Sequence, residues 1–275
     1  MSNRVLIRTT LYLVGCCVVL LTAIGCEVNP ATGKSELVLI GTQEEIRLGH
    51  SVHNELMGQY KEVKSEPFRR RTHAIGEKIA RVTDRQDLEY SFTVLEADDL
   101  NAFAVPGGFV YVTTGLMRHA DSDELACVVG HEFGHIAARH AVKKLQAQML
   151  ASLLMVLVAK ETDKEEVAAA AAVALNLLML GYSRKHEYEA DLLGARYSWR
   201  AGYNPKGMSS FFRKLKTLNQ NHASLPEFLS THPDLDHRIN AVDALILREM
   251  MGPDGKLLPP PILEPTNVPT VSNPS

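Results

Sequence analysis

The apolar positions fall into helical and strand rhythms that divide the chain. Helical spacing opens at Thr42-Gln43-Glu44-Glu45, with Thr42 as candidate N-cap and a glutamate three residues on. A second helix is expected over 67–82. Residues 90–96 alternate, with Tyr90, Phe92 and Val94 on one side, and predict a strand. Two more short strands, 101–105 and 109–113, flank Pro106-Gly107-Gly108. Helices are then expected over 121–144, 183–200, 205–219 and 234–250. Residues 148–159 and 167–180 form two strongly apolar helical runs split by the charged stretch 160–166. Each is short of a bilayer span, which takes roughly 20 residues. They read as a helical hairpin on the domain, or as one touching the membrane. Residues 29–42 read as an irregular arm with turns. From Pro253 onward, seven of the 13 prolines crowd into the end of the chain, predicting a disordered tail over 253–275. The expected architecture is α+β, mainly α, with a small three-stranded sheet in a domain over 43–252.

The first 25 residues follow a different logic. Arg4 and Arg8 precede an apolar stretch from Leu11 to Ile24, and Gly25-Cys26 follow. Basic, apolar, then small is the order of an export signal. Ala23-Ile24-Gly25-Cys26 resembles a bacterial lipobox, in which Cys26 is acylated and becomes the first residue of a linker arm, 26–42. Leu13-Val14-Gly15-Cys16 fits the four-residue pattern better but leaves too short an apolar region after Arg8. Glu27 stands where an aspartate would resemble an inner-membrane retention signal, so the outer membrane, on its periplasmic face, is the expected address. Cys127 is the one cysteine beyond Cys26, so a processed chain has no internal disulfide. A net charge of −3 carries no basic face for nucleic acid.

The chemistry concentrates in His131-Glu132-Phe133-Gly134-His135. On a helix, residues four apart lie about 40° apart in direction. Both imidazoles therefore leave one face and can share a metal ion, with Glu132 beside them to act on a water. A catalytic zinc takes three protein ligands and keeps one open position. A third histidine of the metzincin kind is excluded, because Ala138 and Ala141 occupy the diagnostic places; His140 falls one short, lies well round the helix from His135, and reads as a residue behind a ligand or at the surface. The other source is a carboxylate from a later helix. Glu187-Tyr188-Glu189-Ala190-Asp191 offers one: Glu187 as ligand, Asp191 one turn on to accept the second N–H of a ligand histidine, and Glu189 pointing elsewhere into solvent.

Taken together, four segments resemble the HtpX and CAAX-prenyl-endopeptidase family of zinc metallopeptidases, a zincin-like fold, with its lipoprotein branch (BepA-like and LoiP-like) nearest. They are Asn101-Ala102-Phe103-Ala104 with Pro106-Gly107-Gly108; the His131–His135 string; Ser183 through Asp191 with Gly194; and Thr231-His232-Pro233 with Arg238-Ile239. The resemblance implies one Zn2+ per chain on His131, His135 and Glu187. It implies that Asn101, Ala102, Phe103 and Ala104 form the sheet edge that pairs with an extended polypeptide substrate. It also implies that His232 donates to the oxyanion and that Arg238 supports it. Plain core residues at 101–104 and a helix-capping role for His232 are the structural alternatives. Cys127 is expected to be a small buried thiol.

The expected function is a zinc metalloendopeptidase acting on unfolded or misassembled envelope proteins. The alternative is a non-catalytic periplasmic chaperone or assembly factor with a structural metal. The intact Glu132 favours the enzyme, because a structural site does not need it.

Overall fold

The computed structural model describes residues 25–159, 182–221, 228 and 231–261. The expected arm begins as a hairpin rather than an irregular segment: β1 (Gly25–Val28) pairs antiparallel with β2 (Ser35–Val38). The reason lies in Asn29. Its side-chain oxygen accepts from Ala31 N (2.9 Å) and Thr32 N (3.2 Å), closing the turn. Its amide donates to Ala137 O at 3.0 Å, pinning the hairpin to the body. The first helix, α1 (Thr42–Gln59), is capped at Gly41 without a side-chain bond, so Thr42 is not its cap. Helix α2 (Glu66–Ala80) follows, with Pro67 in its first turn.

The three-stranded sheet is as expected. Strands β3 (Ser91–Leu95), β4 (Ala102–Val105) and β5 (Phe109–Thr113) lie in the order β3-β5-β4. Strand β5 is parallel to β3 and antiparallel to β4, leaving β4 at an edge. The two glycines between β4 and β5 both have positive φ, 82° and 98°, which side chains disfavour.

A short helix, α3 (Thr114–His119), leads into α4 (Ser122–Ala137), the helix with the His–Glu–x–x–His string. Helix α4 is buried from Glu124 to its end, so it is the spine of the domain. Phe133 stacks on Tyr90 at 4.5 Å, joining the helix to the sheet. Its start is a full capping box: Asp121 accepts from Glu124 N, and Glu124 accepts from Asp121 N. This D-x-x-E signal sits in the sequence ahead of the apolar run.

The expected continuous helix over 121–144 is broken. Arg139 adopts φ 54°, and a new helix, α5 (His140–Ala159), starts at once. A left-handed arginine costs about 1 kcal/mol or more. Tertiary bonds hold it: Arg139 donates to Glu45 (3.2 Å) and to Ile40 O. The second apolar run, 167–180, and the charged stretch before it lie outside the described residues, as do residues 1–24 of the expected export signal and the tail beyond 261.

Helix α6 (Arg184–Arg200) is capped by Ser183 and, among the described residues, packs along α4 more extensively than any other pair of elements. Helices α7 (Gly207–Asn221) and α8 (Leu235–Glu249) close the far side. The chain beyond Pro253 is ordered at first. A bridge joins Met251 to Leu257, and the Trp199 indole donates to Leu258 O at 3.0 Å. Among the described residues, no helix is long and apolar enough to cross a membrane.

Candidate metal centre

Glycines set the distance between α4 and α6. A Cβ on Gly134 would lie 2.6 Å from Ala190 O, one on Gly130 2.7 Å from Gly194 O, and one on Gly194 2.6 Å from His131 N. Real side chains do not approach backbone that closely, so this seam admits only glycine. The helices thereby come near enough for Glu187, in the first turn of α6, to reach the histidines of α4.

Four side chains converge there. His131 Nε2 is 3.0 Å from His135 Nε2 and 3.2 Å from His232 Nδ1. Glu187 Oε1 is 3.4 Å from His135 Nε2, and its Oε2 is 3.6 Å from His131 Nε2 and 2.9 Å from His232 Nδ1. One ligand atom from each lies within 4.8 Å of all the others. Zinc bonds of about 2.0–2.1 Å at tetrahedral angles place ligand atoms about 3.3 Å apart. The spacing therefore fits one small cation.

Charge and hydrogen bonding agree with that fit. Glu187, Asp191 and Arg238 are fully buried. The Arg238 guanidinium grips both Asp191 oxygens at 2.7 Å and also reaches Glu187 at 2.9 Å. Two buried carboxylates against one guanidinium leave a negative charge that a bound cation compensates. Glu187 Oε1 and Glu132 Oε1 have no hydrogen-bond partner within the protein. Burial drives the His131 and His135 pKa values down, keeping both imidazoles neutral as ligands must be. Burial opposes charge on Glu187, yet His232, His135 and His131 hold its carboxyl far below the usual range. Burial also works against a charged His232, but Glu187 beside it raises its pKa.

Asp191 Oδ1 is 2.8 Å from His131 Nδ1, although the ring N–H is not aligned for a full hydrogen bond. Glu132 is buried beside the cluster, and burial lifts its carboxyl to about 8. The nearby Ala104 backbone N–H opposes that rise, and β4 packs against α4 beside Glu132. Ala102 and Ala104 are buried, and Phe103 stacks on Tyr111 at 4.9 Å. Asn101 precedes the strand and is buried, with its Oδ1 unpartnered.

His232 does not cap α8; Asp234 does. It stacks on Phe228 at 4.5 Å and points into the cluster, its Nε2 3.9 Å from Glu132 Oε1. Arg238 donates to the backbone of the same residue, His232 O, at 2.9 Å. Cys127 is buried, with its thiol pushed up to about 12 by burial. Cys26 sits in β1, paired with Leu37.

Two expectations fail beside the cluster. His140 is not turned away from His135: it is fully buried, with its Nδ1 2.9 Å from His135 Nδ1. Glu189 is not a free solvated carboxylate: it meets His140 Nε2 at 3.1 Å and bonds Lys34. The hydrogen bond from His140 holds its carboxyl down at about 2, aided by Lys34 and against partial burial. Both errors have one cause, the left-handed turn at Arg139. Tyr182, which the sequence did not single out, stacks on His135 at 4.0 Å.

Comparison with known proteins places this arrangement. The profile of Peptidase family M48 matches residues 68–246. The chain is 24% identical over 220 residues to the beta-barrel assembly-enhancing protease of Escherichia coli, covering 76% of this chain and 45% of that protein. It is 26% identical over 262 residues to the mitochondrial metalloendopeptidase OMA1 of Bos taurus, covering 84% of this chain and 50% of that one. With the OMA1 of Arabidopsis thaliana it shares 34% over 149 residues, 54% of this chain and 30% of that one. The chain thus spans half or less of the length of these relatives. The matched span holds every converging residue, the buried Glu132 and the strand edge, and this chain belongs to peptidase family M48.

Proposed function

We propose that this chain is a zinc-dependent metalloendopeptidase that cleaves unfolded or misassembled cell-envelope proteins. The observation that carries the reading is the meeting of three things at one buried point. They are the ligand set of His131, His135 and Glu187, the carboxylate of Glu132, and the backbone edge of β4 at Ala104. A structural metal needs only the first of these.

Bound zinc supplies Lewis acidity, polarising a carbonyl oxygen and making water acidic near pH 7. The protein supplies the rest. An extended substrate pairs with β4 from Asn101 to Ala104, so backbone rather than sequence fixes its scissile bond beside Glu132. Glu132 takes the proton of the attacking water, holds it, and delivers it to the leaving amine; its raised pKa suits a group that must do both. His232 donates to the developing oxyanion, and Arg238 fixes the loop that carries it. Substrate class and address rest on the leader over 1–25, with Cys26 as the lipid attachment point at the outer membrane, and on relatives named beta-barrel assembly-enhancing protease.

The test uses an unfolded protein such as casein. Glu132→Gln retains zinc and loses cleavage by at least ~100-fold, the share a positioned acid–base group contributes. Cleavage near the wild-type rate by that variant removes Glu132 as the base.

A further inference from the structure

His131 and His135 are held by different means. Behind His131 stands a carboxylate, Asp191, at 2.8 Å. Behind His135 stands another imidazole. His135 Nε2 faces the metal cluster, so its Nδ1 carries the proton. That proton points to His140 Nδ1, 2.9 Å away, which accepts only if His140 keeps its own proton on Nε2. Nε2 in turn is 3.1 Å from Glu189 Oε2, and the other Glu189 oxygen accepts from Lys34. Both tautomers in this line are thereby fixed, and each imidazole N–H has an acceptor. Lys34 lies in the turn between β1 and β2, and a second ion pair from the same hairpin, Glu36 with Lys143, flanks the line.

We propose that His140 is a positioning residue for the metal centre. It orients His135 through a relay of Lys34, Glu189 and His140 that ties the N-terminal hairpin to a zinc ligand. The proposal rests on the peptidase reading only for the identity of the ion. Arg139 makes the relay possible: on an unbroken helix, residues five apart point about 140° away from each other. The left-handed turn swings His140 back over His135. His140 touches no substrate; it acts through His135.

The experiment measures zinc affinity by chelator competition and the visible spectrum of the cobalt-substituted protein, on the full chain. His140→Phe keeps the ring's bulk and removes both hydrogen bonds. The expected result is a zinc Kd raised ~10–100-fold, the usual cost of losing a partner behind a ligand histidine, with an altered cobalt spectrum. His140→Gln can both accept and donate and is expected to recover most of that loss, which a merely space-filling role would not produce. Glu189→Ala, at a partly exposed site, is expected to weaken zinc several-fold and decides the matter should His140→Phe not fold. Zinc binding unchanged in Glu189→Ala and in whichever His140 variants fold would overturn the relay. Wild-type protein that binds no zinc would instead sink the peptidase reading, so the two failures are distinct.

Discussion

Replacing Gly194 by alanine tests the seam on which the metal centre is built. The added Cβ would lie 2.6 Å from His131 N and 2.8 Å from His131 Cα, about 0.8 Å short of the 3.4 Å at which ordinary contact begins. The opposing atoms are helix backbone and cannot rotate away. Helix α6 must therefore retreat or tilt by several tenths of an ångström, taking Glu187 and Asp191 with it. Metal–ligand distances tolerate about 0.2 Å. Overpacking costs roughly 1–3 kcal/mol, and the higher helix propensity of alanine returns up to ~1 kcal/mol. The zinc-free protein should thus lose about 0–3 kcal/mol, while its zinc Kd rises by at least ~10-fold. Gly58→Ala is the control: it sits in a helix with nothing within 4 Å of its Cβ, and should gain stability and leave zinc binding alone. The assays are thermal unfolding of the metal-free protein and chelator competition. A Gly194→Ala protein as stable as Gly58→Ala, with zinc Kd within twofold of wild type, would show that the helices have room to spare.

Three further outcomes are expected. Glu187→Ala should lower zinc affinity by more than ~100-fold, whereas His232→Ala should leave zinc bound and slow cleavage; equal metal loss in both would make His232 a fourth ligand and close the site to water. Arg196 holds the Glu249 carboxyl at about 2, below its ordinary 4.5, so the pair's contribution is full above pH 4.5 and lost as pH falls toward 2. The pair is worth about 0.5–1 kcal/mol, so the Tm gap between wild type and Glu249→Gln, roughly 1–4 °C at pH 7, should narrow below pH 4.5. Cys127, buried with its thiol near 12, should resist alkylation in the native protein and react only on unfolding; rapid native labelling would contradict its burial.

Local rules made much of this protein legible in its sequence. Four-residue spacing put His131 and His135 on one face, alternation marked the strands, and Pro106-Gly107-Gly108 marked their turn. Such patterns depend only on neighbours along the chain. Contacts between distant segments decided the rest. The helix end at Arg139 follows from bonds to Glu45 and Ile40 O, nearly a hundred residues away, and a sequence window cannot see them. That one turn set His140 at the back of His135 rather than at the surface, and moved Glu189 from solvent to its partner. The hairpin over 25–38 likewise depends on Asn29 meeting Ala137 and on Gln146 receiving Leu39 and Ile40. Sequence named the groups able to hold a metal. Only the glycine seam between α4 and α6 set them about 3 Å apart, because separation across two helices is fixed by packing and not by periodicity.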